Sequence, residues 1–269
     1  MNQTQGEKII DFHAHIYPQK IALKAIENVG KFYDTQALHS GFTEELLESG
    51  SRIGVSKYVI HSVATKAEQV ESVNSFIIDS CRRHSEFIGF ATYHPDYADF
   101  DKELDRIQIA GLKGIKMHPD FQKFQVDMPQ MDNFYTSLEA RGLPILFHAG
   151  DCRFDFSGPL RISRVLNKHP KLKVIAAHFG GYTEWEDSLE YLAERDVWFD
   201  TSSSLWKLPL EKADELIKVH GADKFLFGSD FPMWDHEIEM QRFNKLCFTA
   251  EERKAVLYDN AAKLLALYP

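Results

Sequence analysis

Eight short runs rich in Val, Ile and Phe, each separated from the next by a longer amphipathic stretch, constrain this chain most. They read KIIDFHAH (8–15), SKYVIHS (56–62), FIGFATYH (87–94), LKGIKMH (112–118), LPILFH (143–148), LKVIAAH (172–178), VWFDTS (197–202) and KFLFGSD (224–230). Runs of this length and composition predict buried strands, and intervening stretches such as KAEQVESVNSFIIDSCRRH, YTEWEDSLEYLAER and PLEKADELIKVHG predict helices. Eight strand-helix units within 269 residues predict one α/β domain, a closed (β/α)8 TIM barrel spanning 1–269. An open doubly wound sheet would carry a Gly-rich phosphate loop after its first strand, and none follows IIDFHAHIYP. The first spacer is about twice the length a single crossover helix needs. Residues 18–42, with Phe32, Tyr33 and His39, are therefore expected to form an insertion that acts as a lid over the barrel mouth.

Of 12 histidines, His13, His15, His61, His94, His118, His148 and His178 all fall at or beside the C-terminal end of a predicted strand, and Asp230 ends the last one. In a (β/α)8 barrel those ends converge on one face, where active sites are built. His13 and His15 are two apart on a strand and so share a face. Imidazoles together with one carboxylate suit a borderline divalent ion such as zinc, with one coordination position left for water. His13, His15, His148 and Asp230 are the expected ligands, and the ion would make hydroxide available near neutral pH.

These motifs resemble the amidohydrolase superfamily, in particular the branch holding amidohydrolase-2-type hydrolases and aminocarboxymuconate-semialdehyde decarboxylase. DFHAH resembles its strand-one His-x-His signature, ILFHAG its strand-five ligand, IAAHFGG its strand-six histidine and LFGSDFP its strand-eight aspartate. The resemblance implies the same four metal ligands, and His178 as a catalytic acid/base or polarising group. Some branches place a carboxylated lysine on strand four to bridge two metals. Lys116 stands there, so the expectation is one divalent ion, Zn2+, and a second only if Lys116 is carboxylated. Unmodified, Lys116 would anchor a substrate carboxylate, with His118 beside it. Arg153 is a further candidate for holding a carboxylate, and His61 and His94 are expected to line the pocket. Cys152, next to HAGD, reads as a bystander thiol.

The expected activity is metal-dependent hydrolysis of an amide, ester or lactone in a small anionic molecule, with Asp230 moving the water proton. A non-oxidative decarboxylase is the alternative on the same scaffold. Deamination is disfavoured because SDFP replaces the paired aspartates of adenosine deaminase-like enzymes, and a barrel without catalysis is disfavoured because its buried ionisable groups would go unsatisfied. A net charge of −9 with no Lys/Arg cluster points to a small-molecule substrate and away from nucleic acid or anionic membrane. Three scattered cysteines, no apolar leader in MNQTQGEK and no long apolar run fit a cytoplasmic protein. A homodimer is compatible with this composition.

Overall fold

The structure, a computed structural model, describes residues 6–267; the leader reading of residues 1–5 lies outside them. All eight expected strands form: β1 (Ile9–His15), β2 (Val55–His61), β3 (Phe87–Thr92), β4 (Gly114–Met117), β5 (Ile145–Phe147), β6 (Val174–Ala176), β7 (Val197–Asp200) and β8 (Phe225–Leu226). They pair in sequence order and in parallel. Single hydrogen bonds, rather than a ladder, bring β8 round to β1: Phe12 N to Phe227 O at 2.8 Å, Asp230 N to His13 O at 2.8 Å and His15 N to Phe231 O at 2.7 Å. The result is a (β/α)8 TIM barrel.

The first interval holds two helices, α1 (Ala22–Tyr33) and α2 (Thr43–Ser51). Then come α3 (Val70–Arg83), α4 (Phe100–Ile109), the single turn α5 (Pro119–Gln122), α6 (Asp132–Arg141), α7 (Pro159–Lys168), α8 (Trp185–Leu192), α9 (Leu210–His220) and α10 (His236–Phe243), followed by a continuous helical run over residues 250–264. Of the first pair, α2 packs on β2 and α10 as a crossover helix does, so α1 is the additional element. Its end turns back sharply: Thr35 N donates to Gly30 O at 2.9 Å, and a Cβ on Gly30 would lie 2.6 Å from Thr35 O. Only glycine lets that reversal sit so close.

Two apolar layers form. Ile9, Ile60, Ile115, Phe147, Val174 and Phe199 pack outward against the helices, while Ile10, Phe12, Phe90, Leu146, Ile175 and Leu226 fill the lumen together with Ala261 and Leu264 of the last helical run. Phe12 and Phe90 meet edge to face at 5.6 Å, so the lower lumen is a packed core.

Strand β1 does not keep one alternation from end to end. Asp11 pairs with Tyr58 and Ala14 with Ile60, so β1 advances three residues while β2 advances two. That extra residue is a bulge, and it re-aims the side chains after it. Phe12 points into the lumen, and so do His13 and His15, whereas Asp11 turns outward. There Asp11 accepts Ser229 N at 2.9 Å and Ser229 Oγ at 2.6 Å and pairs with His236 Nε2 at 2.9 Å. The bulge thus puts the histidine pair above the packed core and anchors the segment after β8.

Candidate metal centre at the barrel mouth

Above the apolar layer the lumen becomes polar. His13, Lys116, His118, His148, His178 and Asp200 are all buried. His13 Nε2 and His15 Nε2 lie 3.4 and 3.5 Å from Asp230 Oδ1, so three of the four expected ligands come together, two of them on an oxygen of the third. His148 does not join that group directly. It follows β5, and its Nδ1 meets Nε2 of His178, which follows β6, at 3.0 Å. Asp230 and His178 both hold left-handed backbone conformations, φ 59° and 60°. Such conformations cost non-glycine residues about 1–3 kcal/mol and recur where a side chain must be aimed. Gly228 lets β8 come close, since a Cβ there would lie 2.9 Å from His13 Cβ.

Hydrogen bonds on the outer ring nitrogens decide which atoms face the centre. His13 Nδ1 donates to Asp200 Oδ2 at 2.7 Å, leaving Nε2 as a lone pair. His178 Nδ1 donates to Ser202 O at 3.1 Å, leaving its Nε2 likewise. Ser202 Oγ donates to Asp200 Oδ1 at 2.5 Å, and His178 N and Ser202 N donate to the same oxygen at 3.0 and 3.1 Å. The centre therefore gathers acceptors: the His13 lone pair, against which Lys116 Nζ lies, the His178 lone pair, which His148 Nδ1 meets, and Asp230 Oδ1. His61 Nε2 is buried without a partner. A divalent cation satisfies such a donor set, and a carboxylate or carbonyl on the far ring nitrogen is the usual support for a metal-binding histidine. The residues present fit the ion, and either zinc or another borderline divalent metal suits them.

Among the described residues, Lys116 supplies the cationic side chain of the mouth cavity. Its Nζ lies 3.1 Å from His13 Nε2. Burial lowers its pKa to about 8, against the pull of Asp200 and Asp230. Burial also lowers His15 and His178 to about 4 and His61, His118 and His148 well below the usual value. Burial alone would raise Asp230, but His13, His15 and His178 together hold it far below the carboxylate range.

His118, Asp120 and His148 form a second close group of potential ligands. The two rings there are stacked at 4.0 Å and 9°, and near-parallel planes cannot both contain one ion. Tyr33 Oη occupies this position instead, 2.9 Å from His118 Nε2 and 3.3 Å from His148 Nε2. Asp120 is buried beside His148 Nε2 at 3.3 Å, and burial, with Asp151 nearby, pushes it up to about 8 while Arg153 opposes.

Three expected contacts do not line the mouth cavity. Arg153 makes two bonds to Asp151, at 2.8 and 2.6 Å, donates to Phe32 O at 2.7 Å and lies over the rings of Phe32 and Tyr33, so its guanidinium ties down the end of α1. His94 accepts from Asp96 N at 3.2 Å and is absent from the cavity wall, as is His61, which instead backs His15 with Nδ1 atoms 3.3 Å apart. Unforeseen participants are Asp200, Ser202, Ser203, Asp120, Tyr182, Trp206 and Trp234. Asp200 could have been found by the rule that found Asp230, a carboxylate at a strand end. The mouth cavity itself measures about 180 Å3, and Ile26, Val29 and Tyr33 of α1 form one wall.

Residues 10–267 match the amidohydrolase family. The chain belongs to that family. No curated protein matches its sequence. Among solved structures, this chain is similar to 2,6-dihydroxybenzoate decarboxylase complexed with 2,6-dihydroxybenzoate, at 18% identity and TM-score 0.76 over 97% of this chain and 99% of that one. It is also similar to a dihydroxybenzoic acid decarboxylase from a Polaromonas species with bound manganese and the inhibitor 2-nitroresorcinol, at 17% and 0.77 over 97% of each chain. A third is a probable 2-pyrone-4,6-dicarboxylic acid hydrolase from Acinetobacter baumannii with bound citric acid, at 18% and 0.72 over 96% of this chain and 99% of that one. At these identities the likeness shows the fold, which several chemistries share. No helix among the described residues is long and apolar enough to cross a membrane.

Proposed function

We propose that this amidohydrolase is a metal-dependent hydrolase of a lactone, ester or amide bond in a small carboxylate-bearing molecule. The observation that carries the reading is the hydrogen-bond pattern of the two supported histidines: with Nδ1 of His13 and His178 engaged by Asp200 and Ser202, the centre offers proton acceptors and metal donors. His13, His15, His148 and Asp230 would hold one divalent ion, zinc by ligand type, which when bound would polarise the scissile carbonyl and lower the pKa of water. Ser203 donates to Asp230 Oδ2, which leaves Oδ1 to take the proton of the attacking water and return it to the leaving group. His178 faces the reacting carbonyl through Nε2 and, with a proton taken up there from solvent, stabilises the developing oxyanion. Lys116 pairs with the substrate carboxylate. Tyr33 and α1 close one side of the mouth, and we assign residues 18–42 the part of a cover that excludes water.

Decarboxylation is the second reading, and Lys116 favours it. A buried ammonium lining the mouth could deliver a proton to the carbon that loses carbon dioxide, and the walls of Tyr17, Phe121, Trp206 and Trp234 suit a planar ring. The similar dihydroxybenzoate decarboxylases lend support to this reading, as the pyrone dicarboxylate hydrolase does to the first. To test both, the protein is stripped with a chelator, reloaded with Zn2+ or Mn2+, and assayed on lactones, esters, amides and hydroxybenzoates in 18O-labelled water. Hydrolysis predicts metal-dependent 18O incorporation without carbon dioxide. Metal-dependent carbon dioxide release would select the second reading, and turnover indifferent to stripping would reject both.

A further inference from the structure

Helix α1 carries more apolar surface than the core uses. Only Ala22 of its residues is buried, although Ala25, Ile26, Val29 and Phe32 are apolar. These side chains sort into two stripes. Ile26, Val29 and Tyr33, spaced i, i+3, i+7, line the mouth. Ile21, Ala25, Asn28 and Phe32, spaced i, i+4, i+7, i+11, line a second cavity of about 650 Å3. The stripes lie about 100° apart on the helix, and Val29 between them lines both cavities.

The far wall of the second cavity is Val63 after β2 together with Val73 and Phe76 of α3, and Lys24 and Lys123 also border it. His15, Tyr17 and Phe121 belong to both cavities, as Val29 does. The two spaces are therefore adjacent and share lining residues that include a candidate metal ligand. The mouth alone is smaller than the ~300–1,000 Å3 of ordinary small-molecule sites, and the side cavity falls within that range.

We infer that the side cavity is a second subsite of the same active site, and that the substrate is an amphipathic carboxylate whose polar reacting head enters the mouth while an apolar alkyl or aryl arm lies along α1 between Val29 and Val73. This deepens the proposed function and rests on the mouth being the reacting centre. The mostly apolar lining accounts for the choice of arm, since polar atoms placed there would lose water without gaining partners.

Straight-chain carboxylates from butanoate to octanoate, with benzoate as a head-only probe, test the assignment by calorimetry on the purified protein. Transfer of each methylene into an apolar site strengthens binding by about fourfold. The wild-type protein is expected to show a slope of that order, with methyl shifts at Val63 and Val73 on titration. Val73→Trp, and independently Ser72→Trp on the exposed rim, should flatten the slope and leave benzoate affinity within twofold. An absent slope, or one that survives both substitutions, overturns the inference, as does a dimer in sedimentation that either substitution dissociates. His13→Asn separates the two readings: a slope abolished by Val73→Trp together with benzoate binding indifferent to His13→Asn would support the side subsite while contradicting the mouth as the reacting centre.

Discussion

Asp200→Asn should invert the chemistry of His13 while barely changing its shape. Asp200 Oδ1 accepts three donors, His178 N, Ser202 N and Ser202 Oγ, at 3.0, 3.1 and 2.5 Å, and Oδ2 accepts His13 Nδ1–H at 2.7 Å. An asparagine will place its single carbonyl oxygen toward the three donors, because turning the amide round would leave those donors facing an NH2 group. Its NH2 then points at His13 Nδ1, which can satisfy it only as an acceptor. The imidazole proton moves to Nε2, the atom 3.4 Å from Asp230 Oδ1, and the lone pair needed by a metal disappears. Outer partners of metal-binding histidines are worth ~10–100-fold in affinity, and a forced tautomer belongs at the upper end, about 100-fold or ~2.7 kcal/mol. Competition with a chelator measures the affinity, and long-range 1H–15N correlation on the metal-free protein reads the tautomer directly. Affinity within threefold of wild type, or a His13 that keeps its proton on Nδ1, would show that Asp200 does not set the His13 tautomer.

His178→Asn is expected to keep near-stoichiometric metal and lose about 10²-fold or more in turnover, whereas His148→Asn should lose metal and activity together; a metal-free His178 variant, by elemental analysis, would make strand six a ligand, and one that kept one of two ions would point to a binuclear site. The metal-free protein should be less stable in acid: His15 and His178 fall from 6.5 to about 4 on folding, so the unfolded chain binds more protons between those values. Stability is then fully present above pH 6.5 and declines toward pH 4, by up to roughly 3 kcal/mol per histidine; urea unfolding at pH 7 and pH 5 checks this, and equal midpoints would contradict it. Arg153→Ala should speed amide hydrogen exchange in α1 several-fold while leaving β1–β8 protected, because it removes the bond to Phe32 O and the stacking on Phe32; unchanged exchange in α1 would return Arg153 to the role of a substrate contact.

The barrel was legible because its strands are buried on both sides and so read as continuous apolar runs, and because each polar strand end marks the mouth. The nearness of His13, His15 and Asp230 to one another followed from that geometry alone. What escaped the sequence depends on backbone deviations that composition does not reveal. The bulge between Asp11 and Ala14 sends Asp11 outward and His13 inward although simple alternation puts them on one face, and no glycine announces it. The left-handed turns at His178 and Asp230 aim side chains by strain that two ordinary residues do not advertise. Arg153 resembled a free cation because Asp151, two residues away, gave no hint of the paired bonds between them. Tyr33 stood out only as part of a long spacer, and its reach to His118 depends on the reversal that Gly30 permits.

The most direct test of the metal-centred account is anomalous diffraction from crystals of the zinc- or manganese-loaded protein, collected on both sides of the metal edge. One strong peak is expected at the mouth, within about 2.0–2.3 Å of nitrogen from His13, His15 and His148 and of an Asp230 oxygen, with Lys116 Nζ moved away from its 3.1 Å contact with His13. A peak confined to His118, Asp120 and His148, or no peak at the mouth with Lys116 still seated against His13, would contradict it.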